Sequence, residues 1–188
     1  MTLLQTMASK LILLSLVVFT HLSFAESIDI GPDIGLKAPL LVALDKKGQH
    51  VSTKSLTGEN GLIILFFRSA DWCPFCQKHL IEFNEQAKNL KSLGYGLAAI
   101  SYDNAQVLNT FSKEHKISYP LLSDIDAKTM KNYDILNKQY QAGSSHYGIP
   151  YPGVVVIDNQ GKVTHKHFFE GYKKRVKFTK LYNSLKAL

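Results

Sequence analysis

The two cysteines of this chain, Cys73 and Cys76, lie at the end of an apolar run with two residues between them. The run, Leu62 to Phe67, has the pattern of a buried strand, and periodic apolar residues after Cys73 indicate a helix. A Cys-x-x-Cys at such a junction has its first sulfur at the helix N-terminus, where the partial positive charge stabilises a thiolate. One helical turn brings the second sulfur within bonding distance. The pattern therefore predicts a dithiol that exchanges electrons.

The residues around the pair suggest how the roles are divided. We expect Cys73 to be the nucleophile, because it is the more exposed, and Cys76 to resolve the resulting mixed disulfide. Arg68, five residues before Cys73, is a candidate stabiliser of the thiolate. Trp72 is expected to shield the site and contact substrate, although packing at the edge of the core explains it equally well.

Metal binding is the competing use of a Cys-x-x-Cys. Zinc requires four ligands, and a second ligand pair at the usual spacing is absent from the sequence. His79 follows Cys76 closely, and His165 and His167 share one face of a predicted strand, but no spacing joins them into one site. We therefore predict no metal and no other cofactor.

The first 25 residues have the pattern of a secretory signal peptide. Lys10 precedes the apolar run Leu11 to Phe19, and Ser23-Phe24-Ala25 offers small residues before a cleavage site after Ala25. An uncleaved anchor is the alternative, but the run is shorter than the ~20 apolar residues that span a bilayer. We expect an exported, periplasmic protein with one domain, residues 26–188, and no membrane span after cleavage.

Charge and cysteine number limit the partners. The formal net charge is +7, and Lys173 to Lys177 form a basic cluster that we interpret as the solvated face of a C-terminal helix. Nucleic acid is not expected as a partner of an exported protein. Two cysteines make no disulfide scaffold, and their closed loop is too small to stabilise the fold much. The expected partners are protein or small-molecule disulfides and thiols, and a redox partner protein.

Strand and helix patterns alternate along the chain. This alternation predicts an α/β fold with a central mixed, mostly parallel sheet flanked by helices, an N-terminal β-hairpin and a final antiparallel edge. The predicted strands are 40–44, 50–53, 61–68, 95–102, 119–122, 153–158 and 162–169, and the predicted helices are 74–93, 104–115, 127–136 and 173–185.

The order of these elements around the dithiol resembles the thioredoxin-like superfamily. The nearest likeness is the redoxin branch related to alkyl hydroperoxide reductase and thiol-specific antioxidant proteins, which is peroxiredoxin-like, and it covers about residues 35–171. The stretches that carry it are Phe66 to Cys76, Ala98 to Ser101, Ile149 to Pro152 and Val155 to Lys162.

The resemblance implies a proline beside the dithiol, in a cis peptide, with an unpaired backbone edge that can receive an incoming chain. By its spacing to Asp158, Pro152 takes this position, with Tyr151 before it and Pro150 as the competitor. An ordinary loop proline is the alternative.

Two departures from the family pattern bear on function. The Pro-x-x-x-Thr/Ser-x-x-Cys motif of the peroxide-reducing members is missing, and Pro152 stands where they have an arginine. Plain thioredoxins bury an acid where this chain has Phe67. We therefore favour a thiol–disulfide oxidoreductase. The alternatives are an antioxidant thiol peroxidase and a binding module whose Cys-x-x-Cys is redox-inert.

Overall fold

The computed structural model describes residues 27–187. The predicted signal peptide and its cleavage site lie outside this range. Within it, no helix is both long enough and apolar enough to cross a membrane. The elements in chain order are β1 (Ser27–Ile28), β2 (Ala43–Leu44), β3 (His50–Val51), α1 (Thr53–Leu56), β4 (Gly61–Phe66), α2 (Pro74–Glu85), α3 (Ala87–Ser92), β5 (Tyr95–Ser101), α4 (Ala105–Glu114), β6 (Leu121–Ser123), α5 (Lys128–Asn132), β7 (Gly153–Asp158), β8 (Val163–Phe169) and α6 (Phe178–Lys186).

One mixed sheet joins the strands in the order β1-β8-β7-β4-β5-β6-β2-β3. Strand β4 lies in its centre, parallel to β5 and antiparallel to β7. It is apolar and buried along its whole length, as a strand covered on both faces must be. The carboxyl ends of the parallel strands β4, β5 and β6 meet at one edge of the sheet, and the dithiol follows β4 at this edge.

Separate apolar clusters cover the two faces of the sheet. On one face, Ile63 and Leu65 of β4 pack in a cluster with side chains of α2 and α6. On the other, the ring of Phe66 lies 5.3 Å from that of Tyr133 and 6.1 Å from that of Phe168. The buried side chains of α2 recur every three or four residues, so the helix turns one face to the core. These residues are Cys76, His79, Leu80 and Phe83.

The predicted α/β class and the thioredoxin-like fold are confirmed, but the balance of strand directions differs from the prediction. Of seven strand pairings among residues 27–187, only β4–β5 and β5–β6 are parallel. The β7–β8 hairpin is not an edge, because β7 pairs with the central strand and β1 pairs outside β8. The reason lies in the Val154 to Ile157 run, which is fully buried and requires cover on both faces.

Helix boundaries also differ from the prediction. The helix predicted over 74–93 is two helices, α2 and α3, which meet at Gln86. The C-terminal helix begins at Phe178, so the basic cluster Lys173 to Lys177 is irregular chain before it. The interpretation of this cluster as a solvated helix face is wrong. Val176 is buried in the same cluster as the apolar side chains of α2, and its carbonyl lies 3.0 Å from the Nε2 of His79 in that helix, so this part of the chain packs against α2.

Candidate active site

Cys73 and Cys76 form a disulfide at the start of α2, with their Cα atoms 5.3 Å apart. Pro74 occupies the first helical position, where its missing N–H leaves no hydrogen bond unmade. The Cys73 carbonyl accepts hydrogen bonds from the N–H groups of Cys76 at 2.9 Å and Gln77 at 3.0 Å. Cys73 is 2% exposed and Cys76 is 0% exposed. Cys73 is thus the more exposed residue of the pair, but only by a narrow margin.

A buried carboxylate holds the loop that leads to the dithiol. Asp103, just beyond β5, accepts hydrogen bonds from the Ser69 hydroxyl at 2.8 Å, the Ala70 N–H at 2.7 Å and the Ser101 hydroxyl at 2.9 Å. Burial raises the pKa of Asp103, and these hydrogen bonds act in the opposite direction. Because its bonds are made to loop and strand, Asp103 positions the approach to Cys73.

The cation in contact with the sulfurs is Arg175. Its Nη2 lies 3.0 Å from the Sγ of Cys76 and 3.8 Å from the Sγ of Cys73. Its Nη1 donates to the carbonyls of Tyr172 and Lys174, both at 2.7 Å, which fixes the guanidinium over the disulfide. Burial, and next the nearby charge of Arg68, lower the pKa of Arg175 to about 10, so it stays cationic at neutral pH.

Arg68 lies among aromatic rings. Its guanidinium carbon is 4.8 Å from the centre of the Trp72 ring, 5.1 Å from that of Tyr172 and 5.9 Å from that of Tyr140. Its Nη2 donates to the Tyr140 hydroxyl at 2.8 Å. The Arg68 guanidinium therefore contacts aromatic rings and the Tyr140 hydroxyl. Its charge reaches the site through its effect on Arg175, and stabilisation of a thiolate by Arg68 stays a prediction.

Trp72 forms the rim of the site. It is 38% exposed, and its Nε1 donates to the Tyr102 hydroxyl at 3.0 Å. Its ring meets the His146 ring edge-on, with centroids 5.9 Å apart. The rings of Phe75 and Tyr172 also meet edge-on, with centroids 5.8 Å apart. The predicted substrate contact by Trp72 is compatible with this exposure and stays a prediction.

Pro152 lies at the site, but its predicted geometry is wrong. It is buried at the start of β7, whose first residue, Gly153, pairs with Phe66 at the end of β4. No peptide bond among residues 27–187 is cis, so the bond before Pro152 is trans.

Two backbone groups next to the Tyr151–Pro152 peptide bond are hydrogen-bonded. The Tyr151 N–H donates to the Ile135 carbonyl at 2.8 Å, and the Pro152 carbonyl accepts from the Phe169 N–H at 3.1 Å. These bonds fix the chain on both sides of Pro152, and trans is the form that an X–Pro bond ordinarily prefers. The Tyr151 N–H is therefore not available to an incoming chain, and the rest of the expected open edge stays a prediction. The competitor, Pro150, is buried and bridges to Leu136.

His79 connects α2 to the segment that carries Arg175. Its Nε2 lies 3.0 Å from the Val176 carbonyl, to which the neutral imidazole donates, and its ring meets that of Phe83 edge-on at 4.8 Å. Burial lowers the pKa of His79 to about 4; the bond to Val176 opposes this, and the charge of Arg175 adds to it. The folded protein therefore holds His79 neutral at pH values where the unfolded chain protonates it.

We expect this histidine to make the protein less stable in mild acid. Below pH 6.5 the unfolded chain binds a proton at His79, whereas the folded protein binds it only near pH 4. The free energy of unfolding therefore decreases as the pH falls from 6.5 to about 4. At pH 5 the loss is about 2 kcal/mol. Denaturant unfolding at pH 7 and pH 5, compared with His79→Gln, isolates the effect from other groups. Equal pH dependence in both proteins would contradict it.

The candidate metal ligands considered in the sequence are not brought together within residues 27–187. Within the part of the chain that the structure describes, no three His, Cys, Asp or Glu side chains are grouped so as to hold a metal ion. His79 is engaged by Val176, and His165 by the Thr164 hydroxyl at 3.0 Å. Absence of a bound metal or cofactor stays a prediction.

Sequence reasoning missed Arg175, Asp103, Tyr140 and Tyr172. Asp103 had a usable signal, because a polar residue after β5 must lie beside the end of the parallel strand β4. Arg175 had no such signal, because the residues around it, Lys173 to Lys177, have the composition of an ordinary charged surface. The two tyrosines come from loops far from the dithiol in sequence.

The fold and site together define a class: a thioredoxin-like protein with a redox-capable disulfide at the strand–helix junction. The sequence pattern of the AhpC/TSA family matches residues 34–166, so the chain belongs to this family.

The relatives include both peroxidases and disulfide oxidoreductases. Alkyl hydroperoxide reductase C of Helicobacter pylori (strain J99) is 27% identical over 143 residues, covering 72% of this chain and 67% of that protein. The thiol-disulfide oxidoreductase ResA of Bacillus cereus is 26% identical over 144 residues, covering 76% and 74%. The crystal structure of peroxidoxin BcpB from Mycobacterium tuberculosis superposes with a TM-score of 0.70 at 21% identity, covering 82% and 97%. That likeness shows the shared fold.

Proposed function

We propose that this protein is an exported thiol–disulfide oxidoreductase that uses Cys73 and Cys76 through a mixed disulfide. The observation that carries the proposal is the Arg175 guanidinium, 3.0 Å from Cys76 Sγ and 3.8 Å from Cys73 Sγ. A fixed positive charge at this distance favours thiolate over thiol and therefore supports exchange chemistry.

The exchange proceeds in two displacements. A substrate thiolate attacks Cys73 Sγ and forms a mixed disulfide, while the electron pair of the broken Cys73–Cys76 bond leaves on Cys76 Sγ. Arg175, whose nearer sulfur is that of Cys76, stabilises this leaving thiolate. A second substrate thiol then displaces Cys73, which gives a substrate disulfide and the reduced protein. The reverse sequence reduces a substrate disulfide.

Arg175 also favours one direction. Its positive charge interacts weakly with a neutral disulfide and strongly with a thiolate, so it stabilises the reduced protein relative to the oxidised one. A couple whose reduced form is stabilised is a better oxidant. A proline directly after the first cysteine, here Pro74, is consistent with a reduction potential above that of thioredoxin, which is about −270 mV. We propose that the protein accepts electrons from substrate thiols.

A thiol peroxidase is the second candidate. The H. pylori relative favours it, and Arg175 supplies a cation although Pro152 stands where the peroxidases have arginine. In this reaction the Cys73 thiolate takes the terminal oxygen of a hydroperoxide, giving a sulfenic acid and an alcohol. The Cys76 thiol then condenses with the sulfenic acid, which gives the disulfide and water.

The oxidation kinetics of the reduced protein distinguish the two functions. Stopped-flow fluorescence of Trp72 can follow oxidation by a small disulfide and, separately, by hydrogen peroxide. We expect rapid exchange with the disulfide and a reaction with peroxide no faster than that of free cysteine. A peroxide reaction orders of magnitude faster than free cysteine would replace the first proposal by the second.

Periplasmic location is part of the proposal and rests on residues 1–25. The charged start, apolar run and small residues before Ala25 support it. Mass spectrometry of the protein from its native cells should give a mature chain that starts at Glu26. A chain that keeps residues 1–25, recovered with the cytoplasm, would overturn this part.

A further inference from the structure

A cleft of about 450 Å³ is lined by residues that contact the neighbours of the dithiol. It is lined by Arg68, Asn137, Gln139, Tyr140 and Tyr172, among others. Its position relative to the sulfurs follows from two contacts. Arg68 stacks on Trp72, the residue before Cys73, and Tyr172 contacts Phe75 within the Cys-x-x-Cys. The lining residues Arg68 and Tyr172 therefore connect the cleft to the Cys-x-x-Cys segment, although neither cysteine lines it.

Two positive charges lie at this cleft or next to it: Arg68 lines it, and Arg175 donates a hydrogen bond to the carbonyl of the lining residue Tyr172. Neither Arg68 nor Arg175 takes part in an ion pair within residues 27–187; those present are Lys128–Asp126 and Lys166–Asp29. The Nε atoms of both arginines are buried without a hydrogen-bond partner. The two guanidinium groups also repel each other, which contributes to the lowered pKa of Arg175. An anion bound at Arg68 would offset this repulsion.

The groups around Arg68 favour a carboxylate rather than a metal-bound or apolar ligand. Arginine binds carboxylates through paired N–H donors, and the Tyr140 hydroxyl and the amides of Asn137 and Gln139 add further polar groups to the cleft. Glu170 is the one acid in the lining, and it is exposed, so water screens its charge.

We propose that this cleft binds the carboxylate of a low-molecular-weight thiol, or of its disulfide, while the sulfur reacts at Cys73. The inference rests on the proposed oxidoreductase function and specifies its substrate class. Two molecules of the thiol, as thiolates, deliver two electrons to the Cys73–Cys76 bond and leave as their disulfide. The protein is left with two reduced sulfurs. Arg68 holds the carboxylate, and Arg175 holds the thiolate that forms on Cys76.

A series of thiols that differ in charge tests the proposal. The oxidised protein is mixed with 3-mercaptopropionate, 2-mercaptoethanol or cysteamine, which are anionic, neutral and cationic, and each rate is corrected for thiolate concentration. We expect the anionic thiol to react about tenfold faster than the neutral one, and the cationic thiol to be the slowest. A tenfold preference corresponds to about 1.4 kcal/mol.

Variants identify the group that is responsible. Arg68→Met keeps a long side chain against the rings and should reduce the anionic preference to near unity, whereas Arg68→Lys should retain part of it. Lys54→Gln is the matched control, because Lys54 is an exposed cation on α1, which packs against the opposite end of β5. This control should keep the full preference.

The outcomes separate the inference from the function on which it rests. Equal rates with all three thiols, or an anionic preference that persists in Arg68→Met, would overturn the carboxylate site and leave the oxidoreductase intact. Failure of every thiol to reduce the disulfide would overturn the oxidoreductase function itself. Unfolding midpoints of the variants, measured alongside, establish that the compared proteins are folded.

Discussion

Replacing Cys73 by serine is expected to abolish thiol–disulfide exchange, lowering its rate by more than about a thousandfold. The physical reason is the division of roles: Cys73 retains the small exposed surface of the pair, and Cys76 lies against Arg175 as leaving group. In Cys76→Ser the Cys73 thiolate can still attack a substrate disulfide, which is the reverse direction of the exchange, but the thiol that would resolve the product is missing. A mixed disulfide on Cys73 should therefore accumulate, with a mass increase equal to the added substrate fragment.

Mass spectrometry of the two variants after reaction with a small disulfide provides the measurement. The double variant Cys73→Ser/Cys76→Ser is the control for stability, because a disulfide that closes so short a loop contributes little to folding. Accumulation of the adduct on Cys76 in the Cys73→Ser protein would reverse the assigned roles. Undiminished turnover in Cys73→Ser would make the Cys-x-x-Cys a redox-inert feature.

Arg175→Gln should lower the reduction potential of the dithiol. A hydrogen bond to a charged group contributes about 1.5–3 kcal/mol, and the reduced protein loses this interaction in the variant. For a two-electron couple the loss corresponds to a potential about 30–60 mV more negative. Reduction of the disulfide by small thiols should slow as well, because the thiolate that leaves on Cys76 is no longer stabilised.

Equilibration with glutathione redox buffers measures this potential. The matched control is Lys173→Gln, which removes a positive charge from the same segment at an exposed position on the ring of Tyr172. Its potential should stay close to that of the unaltered protein, since solvent screens the lysine. A shift of equal size in both variants would mean that net charge, rather than the Arg175 contact, sets the potential.

The parts of this protein that the sequence predicted correctly are those fixed by local pattern. The apolar run of β4, Pro74 after the first cysteine, and the helical period after it lie within one short stretch, so the strand–dithiol–helix order follows from propensity and spacing. The same holds for the N-terminal hairpin, although its two strands, Ala43–Leu44 and His50–Val51, are shorter than predicted.

The parts that it missed depend on tertiary contact. Arg175 is separated from Cys76 by 99 positions, and nothing in the run around it distinguishes it from its lysine neighbours. Its orientation follows from burial of Val176, whose carbonyl is bound by His79. The central position of β7 could have been predicted from the sequence, because Val154 to Ile157 is a continuous apolar run of the same kind as β4.

The hydrogen bond between the Tyr151 N–H and the Ile135 carbonyl affects how a polypeptide substrate could bind. The chain between α5 and β7 makes the backbone hydrogen bond that an extended client polypeptide would need for strand addition at the Tyr151 N–H. A client that docked there would have to displace this segment and break its bond before any sulfur could react. The cost is the same for every polypeptide, whatever its sequence. We therefore expect the proposed exchange to favour thiols and disulfides that reach Cys73 without pairing with the sheet.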